Sequence, residues 1–262
     1  MVAKFLSSTC VHFFPHLTQD LRLPAFSMML LRLSAALGLL ASSALAYPGA
    51  SASPSPPQAA VFAYEARMGP IVAGDLDLNV FHTDERYGVL GRFLTSQSLN
   101  AYYNWEGTFA ASGIWVDQRP QTQSYLVRSE SKDDEYKVVI MGADNTQLLE
   151  GRDAEFETLP KPSGTDLISG LMFTPQCYTG AFVHDGEDAY PIRLLRTRSS
   201  KLSKRRGFFS GPVTRCDYEI TTRRGKKRRL RVSMTQHNGL WVAAEVRVRL
   251  ALFPDPVFRL RS

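Results

Sequence analysis

Residues 71–81 read IVAGDLDLNVF, with Leu76, Leu78 and Val80 alternating against Asp75, Asp77 and Asn79. Successive side chains on an extended strand point to opposite faces, so the run describes a strand that buries one face and wets the other. A helix would scatter the same apolar residues around its circumference. VFAYEAR (61–67) precedes this strand across the Gly69-Pro70 turn, and RYGVLGRFLT (86–95) follows it. The segments 105–116, 123–131, 136–142 and 145–151 repeat the habit with turn residues between them. Past residue 176, CYTGAFVH (177–184) and AYPIRLLRTR (189–198) flank Asp185-Gly186, a hairpin signal. Residues 212–222 and 229–237 flank Gly225, Asn238-Gly239 turns the chain into 240–253, and 257–262 close it. Two stretches depart from period two: SQSLNAYYN (96–104), and LISGLMF (167–173) with Asp166 as N-cap. The polar connection 153–166 separates two runs of strands. Ten to twelve strands in hairpin order predict a mainly β fold, a large antiparallel sheet formed as a curled half-barrel or sandwich. One or two short helices accompany it. One β-rich domain over 61–262 is expected, since hairpin order favours a single continuous sheet.

The residues ahead of that domain have another character. From Met28 the chain reads MMLLRLSAALGLLASSALA, with one cation at Arg32, an apolar run, and small residues at Ala44 and Ala46. This is the pattern of a secretory signal peptide cleaved after Ala46, with 1–27 as an upstream mis-start. The apolar run falls short of the roughly 20 residues of a membrane helix, so no transmembrane segment is expected in the mature chain. Residues 47–60 form a Pro/Ser/Ala linker.

Cysteine parity fits export. Cys10 belongs to the leader, which leaves Cys177 and Cys216 as a pair where disulfides persist. A bridge between them closes a loop worth about 4 kcal/mol in chain entropy.

Charge is unevenly spread. The whole chain carries +6, yet residues 193–231 hold 15 cations against Asp217 and Glu219. Its densest part, TTRRGKKRRLR (221–231), packs seven cations into eleven residues. The expectation is a molecule with a basic end and an acidic end. Taken alone the run suits nucleic acid, but an exported protein seldom meets it. The hairpin residues Arg223, Arg224, Lys226, Lys227, Arg228 and Arg229 are therefore candidates for an anionic envelope lipid or polymer, and nucleic acid is not expected as a partner. A solvated edge that blocks sheet aggregation is the plainer reading.

No catalytic signature is present. The chain lacks G-x-S-x-G, H-E-x-x-H, a Walker loop and G-x-G-x-x-G. No cofactor and no metal are expected: His82, His184 and His237 lack ligand spacing and read as turn histidines at the surface, and DGED (185–188) lacks the register of a calcium loop. Asp75 and Asp77 stand about 7 Å apart on one strand face, within the separation of glycosidase carboxylates. With Glu106 they make a glycan-acting hydrolase the alternative, although alternating acids on a wet strand face are commonplace. Tyr103, Trp105, Phe109 and Trp115, with Tyr102 beside them, form an aromatic cluster that lines an apolar groove if the sheet curls, or fills its core.

Several of these segments resemble a known family. YEARMGPIVAGDLDLNV (64–80), YYNWEGTFAASGIW (102–115), DLISGLMF (166–173), CYTGAFVHDGEDAYPIRL (177–194), GPVTRCDYEI (211–220) and LWVAAEVRVRLALFPDPVFRL (240–260) are similar to a proteobacterial periplasmic family, domain of unknown function 3108. The likeness covers residues 60–261; the insertion SSKLSKRRGFFS (199–210) and the strongly basic hairpin depart from it. It implies a periplasmic β-rich protein similar in shape to half-barrel lipoprotein carriers, and brings no established activity. The expected function is a non-enzymatic binder of a lipidic or polyanionic envelope component. A scaffold for an envelope protein partner is the remaining alternative.

Overall fold

The computed structural model describes residues 58–100, 104–131, 135–249 and 254–262. The expected leader, its expected cleavage point after Ala46, nearly all of the expected linker, Tyr102 and Tyr103 lie outside the described residues. The chain is mainly β. Its elements are β1 (Gln58–Met68), β2 (Ile71–His82), β3 (Arg86–Thr95), α1 (Gln97–Asn100), β4 (Trp105–Val116), β5 (Arg119–Ser131), β6 (Tyr136–Met141), β7 (Asn145–Glu150) and β8 (Glu157–Pro160). They continue as β9 (Thr165–Asp166), α2 (Leu167–Met172), β10 (Phe182–His184), β11 (Ala189–Leu202), β12 (Gly211–Thr221), β13 (Lys227–His237), β14 (Leu240–Arg249) and β15 (Pro256–Leu260).

All fifteen strands belong to one sheet, in the order β8 to β1, then β15 down to β9. Two meanders are thus joined where β1 pairs antiparallel with β15, Tyr64 opposite Leu260. Every neighbouring pair is antiparallel except β9 with β10. Fifteen strands exceed the expected ten to twelve in part because β8 and β9 form within the polar connection, where backbone pairing needs no apolar alternation. In CYTGAFVH only Phe182–His184 are strand.

Burial follows the period-two pattern. In β2, Leu76, Leu78 and Val80 are buried while Asp77 and Asn79 are exposed. The inner faces of both meanders share one apolar core with α2 inside it. Asp166 caps α2, its Oδ1 accepting from the Ser169 N–H at 2.8 Å. Thr122 of β5 donates to Asp166 Oδ2 at 2.7 Å and accepts from the Asp166 N–H at 2.9 Å. The helix is thereby tied to a strand far from it in the sheet order.

That tie is one sign of the curl. The β10–β11 turn also reaches β5–β7: Thr146 Oγ1 donates to Gly186 O at 3.0 Å. A Cβ on Gly186 would stand 2.6 Å from Tyr125 and 2.8 Å from Val139, and its φ is +95°. Glycine is required there both by conformation and by the close approach. The sheet curls until its two ends face each other, but β8 and β9 do not pair, and it is an open sheet rather than a closed barrel.

Candidate functional site

The concave face keeps one large opening. A cleft of about 590 Å³ lies between β1–β4, α2, and β12–β15. Its walls include Leu76, Phe93 and Trp105 on one side, Leu167 and Leu171 below, and Val246 and Phe258 opposite. Phe93 packs against Trp105 with ring centroids 4.7 Å apart and against Phe258 at 6.3 Å. The volume is typical of small-ligand sites, which are mostly apolar with a few placed polar groups.

Polar groups sit at its mouth. Arg223, Arg224 and Lys226 of the β12–β13 turn, with Arg228 of β13, border the cleft beside Glu187, Asp188 and Tyr190. The turn is built on Gly225, whose φ is +70° and whose N–H donates to Thr222 O at 2.8 Å. Arg223 pairs with Glu187 at 3.2 Å and Asp188 at 3.3 Å. The carboxylates of Asp188 and Glu187 hold its guanidinium above its ordinary pKa. Arg228 turns inward, with its Nε buried and without a hydrogen-bond partner.

Behind the mouth, the DGED turn is a folded structure. Asp185 accepts from the N–H groups of Glu187 (3.1 Å) and Asp188 (2.9 Å) and from the Tyr190 hydroxyl at 2.6 Å. Burial raises the Asp185 carboxyl above the usual range, against the pull of those bonds. Burial lowers the Lys137 ammonium, but its bonds to Glu187 and Glu150 outweigh this and raise it overall. At this mouth the charges are mixed, because the acidic turn lies against the basic hairpin and pairs with its Arg223.

The basic run itself is divided between two faces. Strand parity sends Arg228 inward and Lys227, Arg229 and Arg231 outward. Lys227 pairs with Glu219 at 3.0 Å, and Arg231 with Asp217 at 2.7 Å.

Outward-facing arginines also continue across the neighbouring strands. One rung sets Arg193, Glu219, Arg229 and Arg249 side by side. The next holds Arg196, Asp217, Arg231 and Arg247, and the third Arg198, Arg215, Ser233, Glu245 and Arg259. This lattice was missed in the sequence. Its signal was arginine at every second position: 196 and 198, 229 and 231, 247 and 249.

The aromatic candidates part company. Trp105 lines the cleft. Phe109, 2% exposed, lies in the core over Gly91, where a Cβ would meet its ring at 2.1 Å. Trp115 packs at the other end of β4 against His82 (5.1 Å) and Tyr87 (5.2 Å). A groove built of all these aromatics is therefore replaced by one in which Phe93, Phe258 and α2 join Trp105.

Cys177 and Cys216 form a disulfide across 39 residues, linking the segment before β10 to β12. Asp75 and Asp77 lie on the convex face: Asp75 pairs with Arg261 and Asp77 stands opposite Arg92. Glu106 pairs with Arg92 at 3.5 Å, and none of the three lines the cleft. His184, expected at a surface turn, is instead fully buried, because the β10–β11 turn tucks into the concave face. Among the described residues no group of three or more His, Cys, Asp or Glu is placed to hold a metal ion. Among them, too, no helix is long and apolar enough to cross a membrane.

Comparisons of the chain with protein-family models, with curated proteins and with solved structures find no match in any of the three.

Proposed function

We propose that the protein binds an anionic amphiphile, its apolar chain entering the cleft and its charged head meeting Arg224, Lys226 and Arg228. The observation that carries this reading is the placement of a cationic turn at the mouth of an apolar cleft of about 590 Å³. An apolar chain gains roughly 25 cal/mol per Å² of surface removed from water, and a cation at the mouth adds about 1 kcal/mol toward an anionic head before screening. No group in this arrangement needs to react, so the role is non-enzymatic binding of a lipidic envelope component. Export to the periplasm accords with the leader pattern and with the Cys177–Cys216 bridge. Membership of the periplasmic family that the sequence resembles is part of the same proposal. The hydrolase alternative gains nothing from Asp75, Asp77 and Glu106 on the convex face.

Trp105 supplies the assay, with all proteins carrying Trp115→Phe and Trp241→Phe so that it is the one tryptophan read. Titration with monomeric bromo-lysophosphatidylglycerol is expected to quench its fluorescence saturably, and bromo-lysophosphatidylcholine to bind about tenfold more weakly. Ala73→Phe, which fills the cleft wall, is expected to abolish quenching, and Lys226→Gln with Arg228→Gln to weaken the anionic lipid by about 10–30-fold. Unsaturable quenching, or equal binding of both lipids by wild type and the double variant, rejects the reading.

A further inference from the structure

The outer face of β11–β15 carries nine arginines against Asp217, Glu219 and Glu245. Arg196, Arg198, Arg229 and Arg249 have no acidic partner among the described residues, whereas Arg193, Arg231 and Arg247 do. Arg215 stands between Arg198 and Arg231; partial burial and these two neighbours lower its pKa. The Nε atoms of Arg198 and Arg215 are buried without a hydrogen-bond partner, whereas Arg259 donates through Nη2 to Ser203 O at 2.8 Å and Phe209 O at 3.3 Å. Guanidinium groups packed this closely repel one another, so the arrangement gains most from anionic oxygens brought from outside.

Two shallow hollows mark where such oxygens fit. One, of about 300 Å³, is bordered by Arg196, Arg198, Arg229, Arg231 and Arg249, with Asp217 the one acid. The other, of about 340 Å³, is bordered by Arg67, Arg205, Arg247 and Arg259 with Glu245 and Asp255. With strands about 4.8 Å apart and rungs about 6.6 Å apart, the array is roughly 14 Å wide over its first two rungs, which span β11–β14, roughly 19 Å wide at the third, which reaches β15, and about 13 Å deep. A linear polyanion covers one row of such an array, while a plane of phosphate heads covers all of it. Planar forks of Arg suit phosphate better than point-charge Lys does.

We infer that this arginine face seats the protein on an anionic bilayer surface, with phosphate headgroups entering the two hollows. Docking is electrostatic and peripheral, and it is independent of whether the inner cleft holds a lipid. Face and cleft mouth share the β12–β13 hairpin, so the docked molecule carries its mouth at the edge of the contact.

The test is cosedimentation of the purified protein with phosphatidylcholine vesicles containing about 30 mol % phosphatidylglycerol, at roughly 50 mM and roughly 300 mM salt. Wild type is expected to bind at low salt, to release at high salt, and to ignore vesicles of phosphatidylcholine alone. Arg196→Gln, Arg229→Gln and Arg249→Gln together are expected to weaken partitioning by about 10–100-fold, with far-ultraviolet dichroism and lysolipid quenching of Trp105 unchanged. Ala73→Phe is expected to bind vesicles like wild type, so that a failed cleft and a failed face give different results. Equal partitioning of the triple variant, salt-insensitive binding by wild type, or loss of vesicle binding in Ala73→Phe overturns the inference. Tighter wild-type binding to heparin or duplex DNA than to vesicles at equal negative charge overturns it in favour of a linear polymer.

Discussion

Gly91→Ala tests whether Phe109 belongs to the core or to the ligand site. A Cβ at this position would lie 2.1 Å from Phe109 Cε1, 2.2 Å from Cζ and 2.9 Å from Leu78 Cδ2, where ordinary contact is 3.4–4 Å. The ring must therefore retreat by about 1.3–1.9 Å inside a close-packed interior. Phe109 is 2% exposed, so it has no solvent side to move into. Overpacking of this kind costs about 1–3 kcal/mol. For a domain of this size each kcal/mol lowers the thermal midpoint by about 2–4 °C, which puts the expected fall at roughly 4–8 °C for a 2 kcal/mol change. Phe109→Leu alone is expected to cost about 1–2 kcal/mol by leaving a void. In the double variant the smaller leucine side chain makes room for the new methyl, and Gly91→Ala should then add little, a coupling of at least about 1 kcal/mol. Urea unfolding of the four proteins gives the cycle, with lysolipid quenching of Trp105 measured well below the midpoint. Additive costs, or a neutral Gly91→Ala, refute the packing argument. Weakened lipid binding by a folded Gly91→Ala would return Phe109 to the site.

Two further outcomes follow from other parts of the fold. Replacing both Cys177 and Cys216 by Ser opens a loop of 39 residues and is expected to cost about 4 kcal/mol; urea midpoints with and without reductant measure it, and a loss below about 1 kcal/mol means the unbridged chain already holds the loop. His184 is buried, accepts from the Gly186 N–H at 3.2 Å, and lies edge-on to Tyr125; burial lowers its pKa, Asp166 opposes this and Lys161 adds to it. The unfolded chain takes up the proton near pH 6.5 while the folded one does not. Stability is thus full above that pH and falls as pH drops through it. His184→Gln should flatten this slope in urea midpoints taken across the range, and an unchanged slope would assign it to other groups such as His82, whose pKa is lowered in the same direction.

The strands were legible because alternation reports which face of a strand is buried, and β2 buries the three apolar residues that the pattern indicates. The cap of α2 was legible for a similar reason: Asp ahead of a short apolar run has one local partner, and Asp166 finds it in Ser169. The cleft was only half legible. Trp105, Phe109 and Trp115 share one inner parity, and nothing along β4 tells that the first meets open space, the second Gly91 and the third His82. Those neighbours come from other strands and depend on how the sheet curls. His184 was misread because a turn residue is normally wet, whereas this turn folds inward over β5–β7.

The order of residues alone therefore determined the elements, the hairpin succession, the strength of the basic run and the two cysteines fit to pair. Each is a short-range matter of periodicity, turn chemistry and composition. Only the tertiary structure decided that the acidic turn pairs with Arg223 of the basic hairpin and that Arg228 faces a cleft while Arg229 faces outward among other arginines. It also decided which aromatics line that cleft. These depend on curvature and on pairing between strands far apart in sequence, which no local pattern encodes.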